Sequence, residues 1–254
     1  MILFSDVGKQ MLVQALPHYE FYFSSCLDST QSECYRKWQQ EPDKCWAVLS
    51  DRQTQGRGRY GHNWVSHPAA NIYLSFVQKN VFGHRLGHLN LCYGIFLYKT
   101  IVALYPDLKE NLTLKWPNDL YFFDKKIAGL LFQTLDADLS NIIVGIGINV
   151  YARTEQLPAI GSSLVLESGR KNNQQRFDIV KYLLSKLETN ELRAYSNDPE
   201  KLQQEFQQFS CRTRSHNYNY SSHHYSYQGF LEKLYPDATV DIRTVQGEKI
   251  HLAS

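Results

Sequence analysis

Residues 56–61 read Gly-Arg-Gly-Arg-Tyr-Gly, and two arginines separated by a single glycine have the chemistry of an anion-binding loop. Glycine lets backbone amides approach a charged group closely, and a guanidinium presents its donors in a fixed fork. The three glycines also match the fingerprint of dinucleotide-binding folds, which requires a helix directly afterwards. Pro68 and polar side chains follow instead. We therefore reject a dinucleotide site and expect a flexible loop, either anion-binding or merely solvated.

The loop lies in a long segment without acidic residues. From Arg52 to Pro106 the chain has no Asp or Glu, so no acid follows the glycines at the position where a dinucleotide site needs one. The same segment contains six basic residues: Arg52, Arg57, Arg59, Lys79, Arg85 and Lys99. A surface built largely from this segment would attract anions.

Bulk composition sets the class of protein. The 254 residues suffice for one large domain or a large and a small one, and 43% hydrophobic with 20% charged residues is an ordinary globular balance. A formal charge of +2 is too small to indicate binding to nucleic acid or an anionic membrane. Five cysteines without a C-x-x-C pair favour reduced thiols, and the N-terminus has no apolar core of a signal peptide. We expect a soluble, cytoplasmic protein.

Hydrophobic periodicity predicts the elements that must position these residues. Strands are expected at 20–27, 45–51, 71–79, 112–116, 120–123, 127–135 and 142–150. Helices are expected after the Asp28-Ser29-Thr30 cap to Gln40, and over 87–105, 175–195 and 199–209. Residues 215–227 predict a loop or weak strands, and short strands follow to residue 252. This order indicates an α+β fold, a mixed β-sheet flanked by helices with a small β unit at the C-terminus.

Four motifs occur in one order along the chain: Asp-Ser-Thr at 28–30, QTQGRGRYGHNW at 53–64, KWPNDLYFFDKKIAGLL at 115–131 and IIVGIGINV at 142–150. Together they resemble the biotin–protein ligase family. The resemblance implies a catalytic domain over 1–210 and a small SH3-like β domain over 211–254. It also implies an ATP-dependent ligase that activates biotin as biotinyl-5′-AMP and transfers it to a lysine of a biotin carboxyl carrier domain.

The resemblance implies a role for each matching residue. Biotin contacts are expected from Ser29, Thr30, Gln31, Gln53, Arg57, Gly58, Arg59, Lys126 and Gly129, with Gln31 standing where the family usually has Asn. Nucleotide contacts are expected from Arg57, Arg59, Trp64, Lys115, Asn118 and Asn149. The resemblance implies catalytic roles for four residues: Arg59, Lys115, Asp119 and Lys126. Strand alternation predicts that Lys126 faces the ligands and Lys125 the solvent, and the glycines of 145–149 are expected to leave room for ligand.

Cofactors and partners follow from the same resemblance. Mg²⁺ is expected with the substrates biotin and ATP, and its ligands stay open. The expected acceptor is the biotin carboxyl carrier protein of acetyl-CoA carboxylase. Many family members carry an N-terminal DNA-binding domain, but only 28 residues precede Ser29, so we expect no specific DNA binding. No membrane partner is expected, and a monomer and a homodimer are both open.

Two alternatives stay open. A lipoate or octanoate ligase or transferase shares the catalytic scaffold, but it would lack the GRGR loop and would need an acyl tunnel. A nucleic-acid-binding module could use the basic residues between Arg52 and Lys99, although the near-neutral total charge disfavours it.

Overall fold

A computed structural model describes residues 6–68, 70–83, 85–172, 174–187, 190–210, 218–221 and 226–253. The helices are α1 (Asp6–Ala15), α2 (Thr30–Gln40), α3 (Leu86–Leu104), α4 (Leu164–Ser168), α5 (Gln175–Leu187), α6 (Glu191–Asn197) and α7 (Pro199–Phe209). The strands are β1 (Glu20–Ser24), β2 (Trp46–Ser50), β3 (Asn71–Lys79), β4 (Leu112–Lys115), β5 (Asp119–Phe122), β6 (Lys125–Thr134), β7 (Asn141–Asn149), β8 (Tyr218–Ser221), β9 (Ser226–Leu234), β10 (Val240–Thr244) and β11 (Lys249–Leu252).

The main sheet has seven strands in the order β1-β2-β3-β7-β6-β5-β4. Strands β1 and β2 are parallel, with α2 in the connection between them, and every other pair in this sheet is antiparallel. β3 and β7 pair over their full length, from Asn71 opposite Asn149 to Lys79 opposite Asn141. The predicted mixed sheet flanked by helices is confirmed.

Both faces of the main sheet are covered, which the alternation of side chains explains. On β2, Ala47 and Leu49 join the large core, while Trp46 and Val48 join a smaller one. The large core includes α3, which buries apolar residues around most of its circumference, and the smaller one includes Cys34 of α2. Helix α2 is thus fixed against the sheet with its N-terminus at the site described below.

A second sheet with the antiparallel order β11-β10-β9-β8 follows in the chain and contacts the first unit through side chains. Trp116 Nε1 donates to the carbonyl of Ala238 (3.1 Å), and Gln203 Nε2 donates to the carbonyl of Leu234 (2.6 Å). The expected small C-terminal β unit is therefore present. Its SH3-like character and its boundary at residue 211 remain predictions, because residues 211–217 lie outside the described ranges.

Some expectations were wrong in detail. The predicted helix over 175–195 is two helices, since α5 ends at Leu187 and a separate helix, α6, begins at Glu191. Helix α1 was missed, and Leu12 is its one buried residue. Within the described ranges, no helix combines the length and hydrophobicity needed to cross a membrane.

Candidate active site

The four motifs converge on one cavity of about 300 Å³. Its lining includes every residue that the sequence assigned to the site except Asn149: Ser29, Thr30, Gln31, Gln53, Arg57, Gly58, Arg59, Trp64, Lys115, Asn118, Asp119, Lys126 and Gly129. These residues come from the start of α2, the loop after β2, and strands β4 to β6. The fold therefore brings together segments up to about a hundred positions apart.

One end of the cavity is a buried network of neutral polar groups. Ser29 caps α2, because its hydroxyl accepts a hydrogen bond from the backbone amide of Gln31 (3.2 Å). Gln53 Oε1 accepts from the backbone amide of Thr30 (2.7 Å) and lies 3.1 Å from its hydroxyl. The Ser75 hydroxyl lies 2.9 Å from Thr30 Oγ1. Ser75 was not predicted as a site residue. It alternates along β3 with buried apolar residues, so it lies on the opposite face of the strand from them.

The glycines of β7 admit two protein side chains. A Cβ at Gly145 would collide with the amide oxygen of Gln31, and one at Gly147 would lie 2.5 Å from the indole of Trp64. Gln31 is buried there, with its Nε2 donating to the carbonyl of Ile143 (3.4 Å). Gly145 and Gly147 line the cavity themselves, and Gln31 and Trp64 pack against them as part of its wall. The expected room for a ligand at these glycines stays a prediction.

Residues 56–64 form a hairpin rather than the expected flexible loop. The amide of Trp64 donates to Gly56 O (2.9 Å), and the amide of Gly58 donates to His62 O (2.7 Å). Left-handed φ angles at Tyr60 (53°) and Gly61 (76°) make the turn, a conformation that matches the twist of paired strands. A non-glycine residue rarely adopts it, which is why the local sequence did not predict the hairpin.

Arg59 connects this hairpin to the segment after β4. Its Nη1 donates to Asn118 Oδ1 (3.4 Å) and its Nη2 donates to the Tyr60 hydroxyl (2.8 Å). Burial lowers the pKa of this guanidinium, partly opposed by the carboxylate of Asp119. Arg57 is exposed, and its Nη1 lies 3.4 Å from Ser32 Oγ. The hairpin therefore covers the cavity, with Arg59 on its inner side.

Cations dominate the other end of the cavity. Lys115, Asp119 and Gly129 stand side by side on β4, β5 and β6, and Lys126 Nζ lies 2.7 Å from Asp119 Oδ1. Burial lowers the pKa of Lys115, the nearby Asp119 opposes this, and Lys126 and Arg59 reinforce it. Asp119 is the one acidic side chain in the described lining. This end is suited to an anion, because fixed cations act strongly where water is excluded.

Strand alternation separates the two neighbouring lysines as predicted. Lys126 lies against the cavity with a quarter of its side chain exposed, and its Nζ is 5.2 Å from the centre of the Trp64 ring. Lys125 is exposed and does not line the cavity. Gly129 allows the close approach of Asp119 and Lys126, since a Cβ there would lie 3.1 Å from both side chains.

Asn149 does not line the cavity. It is buried, accepts from Asn71 Nδ2 (3.2 Å) and donates to the carbonyl of Lys126 (3.5 Å). Its predicted nucleotide contact stays a prediction. The loop after β7 does reach the cavity through Ile160, whose carbonyl accepts from the amide of Lys126 (2.6 Å).

Among the described residues, no three His, Cys, Asp or Glu side chains come together as a metal site. In the described lining of the cavity, Asp119 is the one side chain that offers an acidic oxygen ligand. That donor set fits Mg²⁺ held mainly by the phosphates of a bound nucleotide, since Mg²⁺ commonly takes one or two carboxylates and the remainder from phosphate and water.

Comparison with known proteins gives three related findings. Residues 23–149 match the profile of the Biotin/lipoate A/B protein ligase family. The bifunctional ligase/repressor BirA of Salmonella typhimurium is 36% identical over 110 residues, 42% of this chain and 33% of that protein. The biotin–[acetyl-CoA-carboxylase] ligase of Mycobacterium tuberculosis is 29% identical over 120 residues, 46% of this chain and 44% of that protein. The chain thus spans between a third and a half of these two relatives.

A solved structure agrees over nearly the whole chain. The biotin protein ligase of Aquifex aeolicus, in complex with biotin and ATP, superimposes with a TM-score of 0.69 and 26% identity, covering 91% of this chain and 95% of that one. A biotin protein ligase of Leishmania major with biotinyl-5-AMP has a TM-score of 0.63 at 18% identity. At that identity the likeness establishes the fold.

Proposed function

Because the chain belongs to the biotin/lipoate A/B protein ligase family, we propose that it activates biotin with ATP and transfers the biotinyl group to a lysine of an acceptor protein. The observation that carries the proposal is the polarity of the cavity on which the four motifs converge. One end offers buried neutral hydrogen-bonding groups, and the other offers three cations, Arg59, Lys115 and Lys126, around one carboxylate. Such a division suits a neutral bicyclic head group at one end and phosphates at the other.

In the first step the biotin carboxylate attacks the α-phosphate of ATP, a bond forms between them, and pyrophosphate leaves. Two anions must approach, so the barrier falls when fixed cations neutralise the charge that develops. Arg59, Lys115 and Lys126 would do this from the hairpin, β4 and β6. ATP would enter with Mg²⁺ on its phosphates. Asp119 would hold that ion, which would supply further neutralisation.

In the second step the amine of an acceptor lysine attacks the mixed anhydride, an amide forms and AMP leaves. The amine must lose a proton, and Asp119 is the one described carboxylate in the lining that can accept or orient it. Water competes with the amine for the same carbonyl, so the intermediate must be shielded. The hairpin from Gly56 to Trp64 would provide that shield.

Biotin is favoured over lipoate by the buried network at the neutral end. The ureido group of biotin has donors and an acceptor that could pair with Ser29, Thr30 and Gln53, whereas the dithiolane of lipoate has no N–H or C=O group. A site with buried polar groups rejects an analogue that leaves them unpaired. We therefore expect selectivity for biotin.

This selectivity can be tested directly with the purified chain, ATP, Mg²⁺ and either acid. We expect pyrophosphate release with biotin that exceeds release with lipoate by about a thousandfold or more, the order expected when buried hydrogen bonds are left unmade. Labelling of a carrier domain by radioactive biotin reports the second step. Activation of lipoate and not of biotin would contradict the proposal in favour of the lipoate or octanoate alternative.

The two glycines of β7 predict opposite substrate effects. Gly147→Ala would push the Trp64 ring away, so we expect the KM for ATP to rise about tenfold with little change for biotin. Gly145→Ala would displace Gln31, so the KM for biotin should rise instead. Steady-state kinetics of both variants, with melting temperatures as a folding check, test this. Equal effects of both substitutions on both substrates would contradict the separation of the two ends.

We also propose an acceptor and a location for this protein. A carrier domain of acetyl-CoA carboxylase as acceptor is supported by the name of the M. tuberculosis relative. A cytoplasmic location is supported by the free thiols of the described cysteines, Cys26, Cys34, Cys45 and Cys92. The assembly state and the absence of specific DNA binding stay predictions of the sequence.

A further inference from the structure

Part of the wall of the cavity comes from the C-terminal sheet. Asn219 and Tyr220 of β8 both line it, and Tyr220 is only 2% exposed. No function is predicted for this segment, because residues 215–227 have neither a recognisable motif nor a strong pattern. A buried aromatic ring of the second sheet therefore forms part of the wall of this cavity.

Tyr220 lies against the ammonium of Lys115. The Lys115 Nζ is 5.7 Å from the centre of the Tyr220 ring and 5.3 Å from the centre of the Tyr121 ring. Tyr121 belongs to β5 of the main sheet, so the two rings reach the same cation from different sheets. An aromatic face attracts a cation within about 6 Å, and more strongly where the cation is desolvated.

The two sheets are held together at the residue next to Lys115. Trp116 is buried, and its indole donates to the carbonyl of Ala238, a buried residue in the connection between β9 and β10. β8 reaches the cavity by pairing with β9, where Tyr220 stands opposite Tyr227. The position of the Tyr220 ring relative to Lys115 is therefore set by the docking of the C-terminal sheet.

We propose that Tyr220 is a positioning residue, whose ring holds the Lys115 ammonium where it meets the phosphates of the nucleotide, so that the C-terminal sheet completes the active site. The inference rests on the proposed function, which supplies nucleotide phosphates as the anion. A lysine has a long flexible side chain, and fixing it only when the ligand arrives costs rotamer entropy that lowers affinity. The ring removes part of that cost in advance.

The test uses inorganic pyrophosphate as the probe and calorimetry on the whole chain. Tyr220→Ala should weaken pyrophosphate binding about tenfold, the order of a desolvated cation–ring contact. Tyr220→Phe should bind nearly as the wild type does, because the ring face remains. The variant that combines Tyr220→Ala with Lys115→Met should bind as Lys115→Met alone does, since the ring acts through the ammonium.

Tyr235→Ala is the matched control, because Tyr235 lies in the same C-terminal unit, just after β9, but does not line the cavity. Melting temperatures of all variants separate lost docking from lost positioning. Additive losses in the combined variant, or equal losses for Tyr220→Ala and Tyr235→Ala, would overturn the proposal, as would absence of pyrophosphate binding by the wild type. Pyrophosphate binding does not depend on the formation of an adenylate. If the variants bind pyrophosphate as expected but the chain does not activate biotin, the result contradicts the proposed function and not the role of Tyr220.

Discussion

Replacement of Lys126 by Gln is expected to slow the formation of biotinyl-adenylate by about a hundredfold, a loss of about 3 kcal/mol of transition-state stabilisation. Lys126 Nζ lies 2.7 Å from Asp119 Oδ1 at the cationic end of the cavity. Gln retains most of the length of the side chain and its ability to donate, so the substitution removes mainly the charge. The charge matters most when the biotin carboxylate and the α-phosphate approach each other.

The same substitution also removes the ion-pair partner of Asp119, whose Oδ1 lies 2.7 Å from Lys126 Nζ. With one cation fewer beside it, this carboxylate should repel both substrates more strongly, which adds to the loss. The rate of pyrophosphate release at saturating biotin and ATP measures the chemical step, and the two KM values show how much of the effect lies in binding.

Lys125→Gln is the matched control, because the neighbouring lysine has the same chemistry but is exposed outside the cavity. We expect its rate to be close to that of the wild type. Equal losses at both positions would contradict the assignment of Lys126 and would indicate that the general charge of this surface, rather than one positioned ammonium, assists the reaction.

The candidate site was largely predictable because its residues occur in short contiguous motifs. Lys115, Asn118 and Asp119 fall within five positions, and simple alternation on the next strand separated Lys126 from Lys125. Regular elements with strong periodicity, such as β3, were predictable for the same reason: the signal for them is local.

The remaining features depend on contacts between distant segments. Gln31 fills the space over Gly145, which is 114 positions away, and Tyr220 reaches Lys115 from a different sheet. No local pattern encodes either contact. The hairpin was missed because its turn places Tyr60 in a left-handed conformation, which favours glycine or asparagine and is held here by pairing on both sides.

Arg59→Gly is expected to separate the formation of biotinyl-adenylate from its retention. The guanidinium faces the cavity from the hairpin and would contact a phosphate that is charged in both ATP and the adenylate. An interaction that is equally strong in both states contributes to binding more than to the rate of chemistry. Pyrophosphate release at saturating ATP should therefore persist, while the adenylate should dissociate about thirtyfold faster, the effect of one lost charge-assisted hydrogen bond.

The escaping adenylate provides the measurement, because it acylates exposed lysines of bystander proteins. A streptavidin blot of serum albumin incubated with biotin, ATP and the variant should show labelling that the wild type does not produce. Arg59→Ala should release less adenylate than Arg59→Gly, since glycine also adds backbone freedom to the hairpin and makes closure costlier. Arg52→Gly is the matched control, being an exposed arginine of the same acid-free segment that does not line this cavity.

The outcome decides what the hairpin does. If Arg59→Gly leaves albumin unlabelled and the carrier domain fully labelled, Arg59 is not part of the shield, and retention must depend on the walls of the cavity. If instead pyrophosphate release stops, Arg59 acts in the transition state, as Lys126 is expected to do. Labelling of albumin with sustained pyrophosphate release is the result that the geometry predicts, because Arg59 joins the hairpin to Asn118 across the cavity that would hold the adenylate.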